Sequence, residues 1–181
     1  MTGDTNYPIS NSEKEKVLFS YADLILDENA AREFKENYNS PQKYVRENAR
    51  KKLPKHFIGP SSNTLQIKHV VPLPENSKDK ISTIPNIREN YTVTDKADGE
   101  RKLLYVASNG HMYMIDTNMN IIFTGMITQN KDLYNSILDG EHIKYDKNNK
   151  FVNLYAAFDI YYIDGKSVRE LNFIPMQEDD V

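Results

Sequence analysis

After Asn90 this chain is written in the pattern of a sheet. Short apolar or alternating runs of strand length are separated by turn residues. Leu103-Leu104-Tyr105-Val106 is one run. Ser108-Asn109-Gly110 turns the chain, and His111 to Asp116 sets Met112 and Met114 against Tyr113 and Ile115. Ile121-Ile122-Phe123 is the next run. A short helix is expected over Lys131 to Ser136, then a strand from Ile137 to Tyr145. Lys147-Asn148-Asn149-Lys150 is a polar turn, and Phe151 to Ile163 reads as one long or two short strands. Antiparallel pairing is the expectation for strands joined by such turns.

The first third of the chain has the other periodicity. Ser12-Glu13-Lys14-Glu15 has the form of a capping box with Ser12 as N-cap. Val17, Leu18, Tyr21, Leu24 and Ile25 then recur at helical spacing, which predicts a helix over 13–26. Asp27 can cap a second helix to Tyr38, and Ser40-Pro41 opens a third that runs to Leu53, where Pro54 ends it. This third helix is basic, with Lys43, Arg46, Arg50, Lys51 and Lys52, and Lys55 just beyond. Contact with RNA phosphates is one reading of it, and a solvated face is the more ordinary one. Leu65 to Val71 reads as a strand, Pro72 to Pro85 as a connector, and Tyr91 to Thr94 as a short strand. The expected class is α+β: a helical extension or linker over 1–55, then antiparallel sheet over 56–181.

Composition narrows the chemistry. The 181 residues are 39% hydrophobic, enough for one sizeable core. The net charge is -3, so any surface for nucleic acid must be local. There is no cysteine, which removes disulfides, Cys-based zinc sites and thiol nucleophiles. The four histidines are scattered without metal-ligand spacing. No signal pattern or membrane-spanning run is visible, so an intracellular, soluble, cytoplasmic chain is expected.

The hexapeptide Lys96-Ala97-Asp98-Gly99-Glu100-Arg101 carries the sharpest chemical signal. A lysine can act as a nucleophile. A glycine lets the backbone approach a ligand, and an arginine offers a fixed fork of donors to ribose or phosphate oxygens. The same Asp-Gly also suits a plain hairpin turn with Lys96 and Arg101 as solvated flanks, and the hexapeptide by itself does not decide between the two. Two later stretches bear on it: Ile137-Leu138-Asp139-Gly140-Glu141-His142-Ile143, and Tyr155-Ala156-Ala157-Phe158-Asp159-Ile160 with Asp164-Gly165 beyond. Taken singly, Asp139-Gly140 reads as a hairpin feature and Phe158 as core.

In that order and approximate spacing, the three stretches resemble motifs of the covalent nucleotidyltransferases, the family of mRNA capping guanylyltransferases and ATP-dependent DNA and RNA ligases. The likeness is nearest to the guanylyltransferase region of multidomain capping enzymes of large DNA viruses. It rests on Lys-Ala-Asp-Gly-Glu-Arg, on a lead-in at Ile58-Gly59-Pro60-Ser61-Ser62-Asn63-Thr64-Leu65, and on Thr94, where many ligases place a glutamate that reads adenine. The resemblance implies that Lys96 attacks the α-phosphorus of GTP and then passes GMP to the 5′-diphosphate end of an RNA. It implies that Asp98, Gly99 and Arg101 surround the nucleotide. Glu141 would hold a ribose hydroxyl or help ligate Mg²⁺ or Mn²⁺, and Phe158 would stack on the base. Triphosphatase or methyltransferase domains of the same parent protein are the implied partners, in the cytoplasm, a viral factory or a virion. The rivals are a ligase that adenylates Lys96 and an inactive nucleotidyltransferase-like binding domain. The likeness covers 56–173. The family's downstream Glu-Gly strand and Lys-x-Lys pair have no match, so the nucleotidyltransferase domain is expected to be incomplete at its C-terminus and this stretch alone to be inactive.

Overall fold

The structure is a computed structural model and describes residues 7–38, 56–72, 86–88 and 91–173. The basic third helix expected over 41–53 and most of the connector at 72–85 lie outside these residues. The chain divides into two compact units, one built from Met1–Gly59 with Ala97–Val181 and the other from Pro60–Lys96.

Among its described residues, the first unit holds two helices and a six-stranded sheet. Helix α1 spans Asn11–Ile25. Its cap is Ser10, whose hydroxyl accepts from the Glu13 amide at 3.1 Å, so the start lies two residues before the Ser12 that the capping-box pattern indicated. Asp27 begins α2, Glu28–Tyr38, by accepting from the amides of Asn29 and Ala30. Both caps satisfy amides that the helix itself leaves without partners.

The strands are β1 (Glu100–Val106), β2 (His111–Asp116), β3 (Ile121–Ile127), β4 (Ser136–Tyr145), β5 (Phe151–Ile163) and β6 (Lys166–Ser167). Their order across the sheet is β3-β2-β1-β4-β5-β6, and every neighbouring pair is antiparallel. The run at 151–163 is one strand, and the two-residue β6 was not anticipated. The helix expected at 131–136 is a single 3-10 turn, Lys131–Leu133.

Register puts the core on one face. Tyr105 stands opposite Tyr113 on β2 and Ile137 on β4, and Leu103 stands opposite Ile115 and Asp139. Val17, Leu18, Tyr21 and Ala22, two adjacent pairs one turn apart, form the buried stripe of α1. The Tyr21 ring meets the Tyr105 ring edge-on at 6.1 Å. Burying an aliphatic side chain such as Leu103 or Ile115 contributes roughly 1.5–3 kcal/mol, so α1 helps hold the sheet. No described helix is long and apolar enough to cross a membrane.

The second unit has little regular structure among its described residues. Leu65 to Val71, read as a strand, instead contains a 3-10 turn at Ile67–His69. Tyr91 to Thr94 is irregular rather than a strand. The Asn86 side chain donates to the Val71 carbonyl at 2.9 Å, and Arg88 Nε donates to that of Val70. These polar contacts hold a stretch whose apolar side chains, Leu65, Ile67 and Val93 among them, are exposed.

Candidate active site

Of the three Asp-Gly pairs, the first two are not hairpin turns, whereas Asp164-Gly165 turns the chain from β5 to β6. Asp139-Gly140 lies in the middle of β4, and Gly99 sits at the entry to β1. Antiparallel pairing then places the first motif against the second, with Glu100 opposite His142, Arg101 opposite Glu141 and Leu103 opposite Asp139. The Gly99 amide donates to Glu141 Oε2 at 2.7 Å. Forty-two residues of separation thus close into one hydrogen bond because both motifs occupy neighbouring strands.

Asp139 is fully buried in the row that continues Tyr105 and Leu103, where the strand pattern calls for an apolar residue. A carboxylate there is costly unless its oxygens are satisfied. Arg101 supplies a two-pronged contact, with Nε to Oδ1 at 3.1 Å and Nη2 to Oδ2 at 2.5 Å. The Tyr161 hydroxyl, from β5, donates to Oδ2. The bond to Asp139 raises the Arg101 pKa further above its ordinary value. Burial, then the same carboxylate, raises that of Tyr161, which keeps its hydroxyl a donor. Toward Gly99 the sheet face therefore turns from apolar to charged.

The other face of Gly140 explains the residue type. Tyr155 lies across it, its hydroxyl 2.8 Å from the Lys102 carbonyl and 3.0 Å from that of Leu138. A Cβ on Gly140 would meet the Ala156 carbonyl oxygen at 2.5 Å and the Tyr155 ring at 2.6 Å. The glycine lets β5 and the tyrosine close over β4, the strand that carries Asp139 and Glu141.

The expected site residues divide as follows. Gly99, Arg101 and Glu141 come together as described. Asp98 is exposed beside Gly99. Phe158 lies on β5 where Asp159 pairs with Asp139 and Ala157 with Gly140, so it is the extra residue of a bulge. It is 37% exposed and so is not the core residue its apolar run suggests. Lys96 is exposed, in the irregular run 91–98, and is the last residue of the second unit. Among the described residues there is no group of three or more metal-ligating side chains.

Several contributors are not visible in the sequence pattern. Asp139 stands there only as part of a motif, yet it is the buried anchor of Arg101. Tyr161 is one of four aromatic residues in the run 155–162, and nothing in that run singles it out. Only the bulge between Ile137 and Leu138, opposite Tyr162 and Ile160, marks Tyr161 as the residue out of step.

Two comparisons with known proteins say which family the chain is similar to. The family model described as mRNA capping enzyme, catalytic domain, matches residues 72–176, more than half of the chain. The chain is also 28% identical over 166 residues to a protein of Acanthamoeba polyphaga mimivirus named "Probable mRNA-capping enzyme". That alignment takes in 92% of this chain and 11% of the mimivirus protein, so the chain spans about a ninth of its relative's length. With its first motif and its Asp-Gly-Glu strand hydrogen-bonded side by side inside the matched region, this chain belongs to the family of mRNA capping enzyme catalytic domains.

Proposed function

We propose that the protein carrying this chain is an mRNA capping guanylyltransferase. The observation that supports it most is the direct coupling of the two motifs within the matched region, Gly99 to Glu141 and Arg101 to Asp139. In this reading the Lys96 amine attacks the α-phosphorus of GTP. An N–P bond forms, the bond from the α-phosphorus to the bridging oxygen breaks, pyrophosphate leaves, and the amine proton passes to solvent. The terminal phosphate of a 5′-diphosphate RNA then attacks the same phosphorus, and the lysine departs with GMP transferred. Dividing the transfer into two steps is what a covalent nucleophile offers.

Gly99 and Glu141 set the floor beneath the nucleotide. Asp139 holds Arg101 in one orientation through the Nε and Nη2 fork, so the guanidinium edge turned away from Asp139 meets ribose or phosphate oxygens without first being ordered. Asp98 orients the turn, and Phe158, exposed at its bulge, offers a ring face to the base. Glu141 would be the protein ligand of a Mg²⁺ or Mn²⁺ ion, since such ions use few carboxylates at nucleotide sites. The ion would offset charge on the leaving pyrophosphate. We assign residues 1–55 to a helical extension whose first helix packs into the core of the sheet, and 56–181 to the nucleotidyltransferase domain, with triphosphatase or methyltransferase domains elsewhere in the parent.

The test is labelling with GTP carrying a radioactive α-phosphate, and with ATP labelled in the same position. Guanylylation of the protein that carries the chain, lost in Lys96→Ala, is expected. Labelling by ATP alone would make it a ligase. Labelling that survives Lys96→Ala would remove the nucleophile, and no labelling by either nucleotide would leave an inactive relative.

A further inference from the structure

Arg101 is gripped from a second side, by residues outside the matched region. The Phe57 ring lies under its guanidinium, with the central carbon 5.4 Å from the ring centroid. Gly59 lies against the same group: a Cβ there would meet Arg101 Nη2 at 2.7 Å and the Phe57 ring at 2.5 Å. Asp139 fixes the direction of the fork, and the Phe57 ring and Gly59 bound the guanidinium from the other side, as expected of a cation that both hydrogen-bonds and lies over an aromatic face.

The segment bearing Phe57 and Gly59 has no regular structure of its own. It is held by Tyr21, a fully buried residue of α1. The Tyr21 hydroxyl donates to the His56 carbonyl at 2.9 Å and accepts from the Ile58 amide at 3.1 Å. One hydroxyl therefore clamps the backbone on both sides of Phe57. From α2, the Phe34 ring meets the His56 imidazole edge-on at 4.8 Å. Arg169 reaches the Ile58 carbonyl at 3.5 Å, and its guanidinium lies 5.4 Å from the ring centroid of Tyr161.

We propose that Tyr21 is a positioning residue for nucleotide binding: it anchors 56–58 so that Phe57 and Gly59 hold the Arg101 guanidinium where a nucleotide meets it. Helix α1 thereby belongs to the working site although it contributes no group that touches substrate. The proposal rests on the reading that Arg101 faces GTP. It places the effect of Tyr21 in binding, because a misaligned fork weakens ground state and transition state alike.

The test uses Tyr21→Phe, which keeps the ring in the core and removes both backbone hydrogen bonds, and Phe57→Leu, which keeps bulk and removes the aromatic face. Phe57→Tyr is the conservative rescue. On the chain itself, exchange of the Arg101 Nε–H with solvent is followed by NMR. In both variants it is expected to accelerate about five- to ten-fold, with Phe57→Tyr like wild type. In the protein that carries the chain, the KM for GTP in the labelling reaction is expected to rise by a similar factor, while kcat changes by less than about two-fold. Unchanged exchange and unchanged KM in Tyr21→Phe and Phe57→Leu would overturn the proposal. So would a rise in KM that merely follows a fall in melting temperature and that Phe57→Tyr does not restore. Absence of labelling in wild type refutes the guanylyltransferase reading instead, and the exchange rates then decide by themselves whether Tyr21 positions Arg101. If Tyr21→Phe fails to fold, Phe57→Leu carries the same comparison.

Discussion

Asp139 is where the chemistry of the site and the stability of the sheet meet. Its carboxylate is fully buried, and its partners are one cation and one phenol. Asp139→Asn keeps the shape but gives up the charge that Arg101 needs. We expect a loss of about 2–3 kcal/mol in urea unfolding, since hydrogen bonds to charged groups are the strong ones. Tyr161→Phe removes one donor from the same carboxylate and should cost about 1.5 kcal/mol in the same measurement, the lower end for a bond to a charged group. Equal losses would show that the charge on Asp139 adds nothing beyond an ordinary hydrogen bond. At this scale much was legible. Gly99, Arg101 and Glu141 stand out as residue types in a pattern, and the structure brings them together. Asp139 and Tyr161 did not stand out as anchors. Their importance depends on which face of a strand each side chain takes after two bulges, and that is a property of pairing.

Among the elements, β4 is the most constrained. Gly140→Ala would push a methyl group into the Ala156 carbonyl and the Tyr155 ring. Overpacking of this kind costs about 1–3 kcal/mol. We expect a lower melting temperature and partial recovery in Gly140→Ala combined with Tyr155→Phe, because the hydroxyl is one of the atoms displaced. The segment 56–59 should be sensitive to acid. Burial lowers the pKa of His56 from its ordinary 6.5. A histidine lowered on folding contributes stability that is full above its unfolded value and lost as pH falls below it. Thermal melts should therefore drop between neutral pH and the acidic side of 6.5, and His56→Gln should remove that part of the drop. Identical pH profiles for the two proteins would show that His56 is not the titrating group. The first two helices and most strands were legible because their periodicities are local. The strand expected at Leu65 to Val71 was not borne out, and neither was the one at Tyr91 to Thr94. β-branched and aromatic residues propose a strand, but a partner strand has to accept it.

The whole molecule keeps much of its tyrosine content out of water. Burial raises Tyr105 and Tyr113 to about 12, and it pushes Tyr21, Tyr155 and Tyr161 higher still. An acid raised on folding contributes stability that is present below its unfolded value and lost as pH climbs past it. The protein should therefore unfold cooperatively above pH 10, the ordinary tyrosine value. Tyrosinate absorbance should appear in two stages, exposed rings first and these five with unfolding. A single smooth titration would contradict that. From the sequence alone, the α+β class, the two capped helices, the antiparallel strands and the trio of motifs could be read, because each depends on neighbours within a few residues. Only the tertiary structure could join Gly99 to Glu141, place Tyr161 under Asp139, and bring a tyrosine from the first helix to the backbone beside Phe57. Those contacts link residues tens of positions apart, and pairing register and helix packing, which no local pattern encodes, decide which of them form.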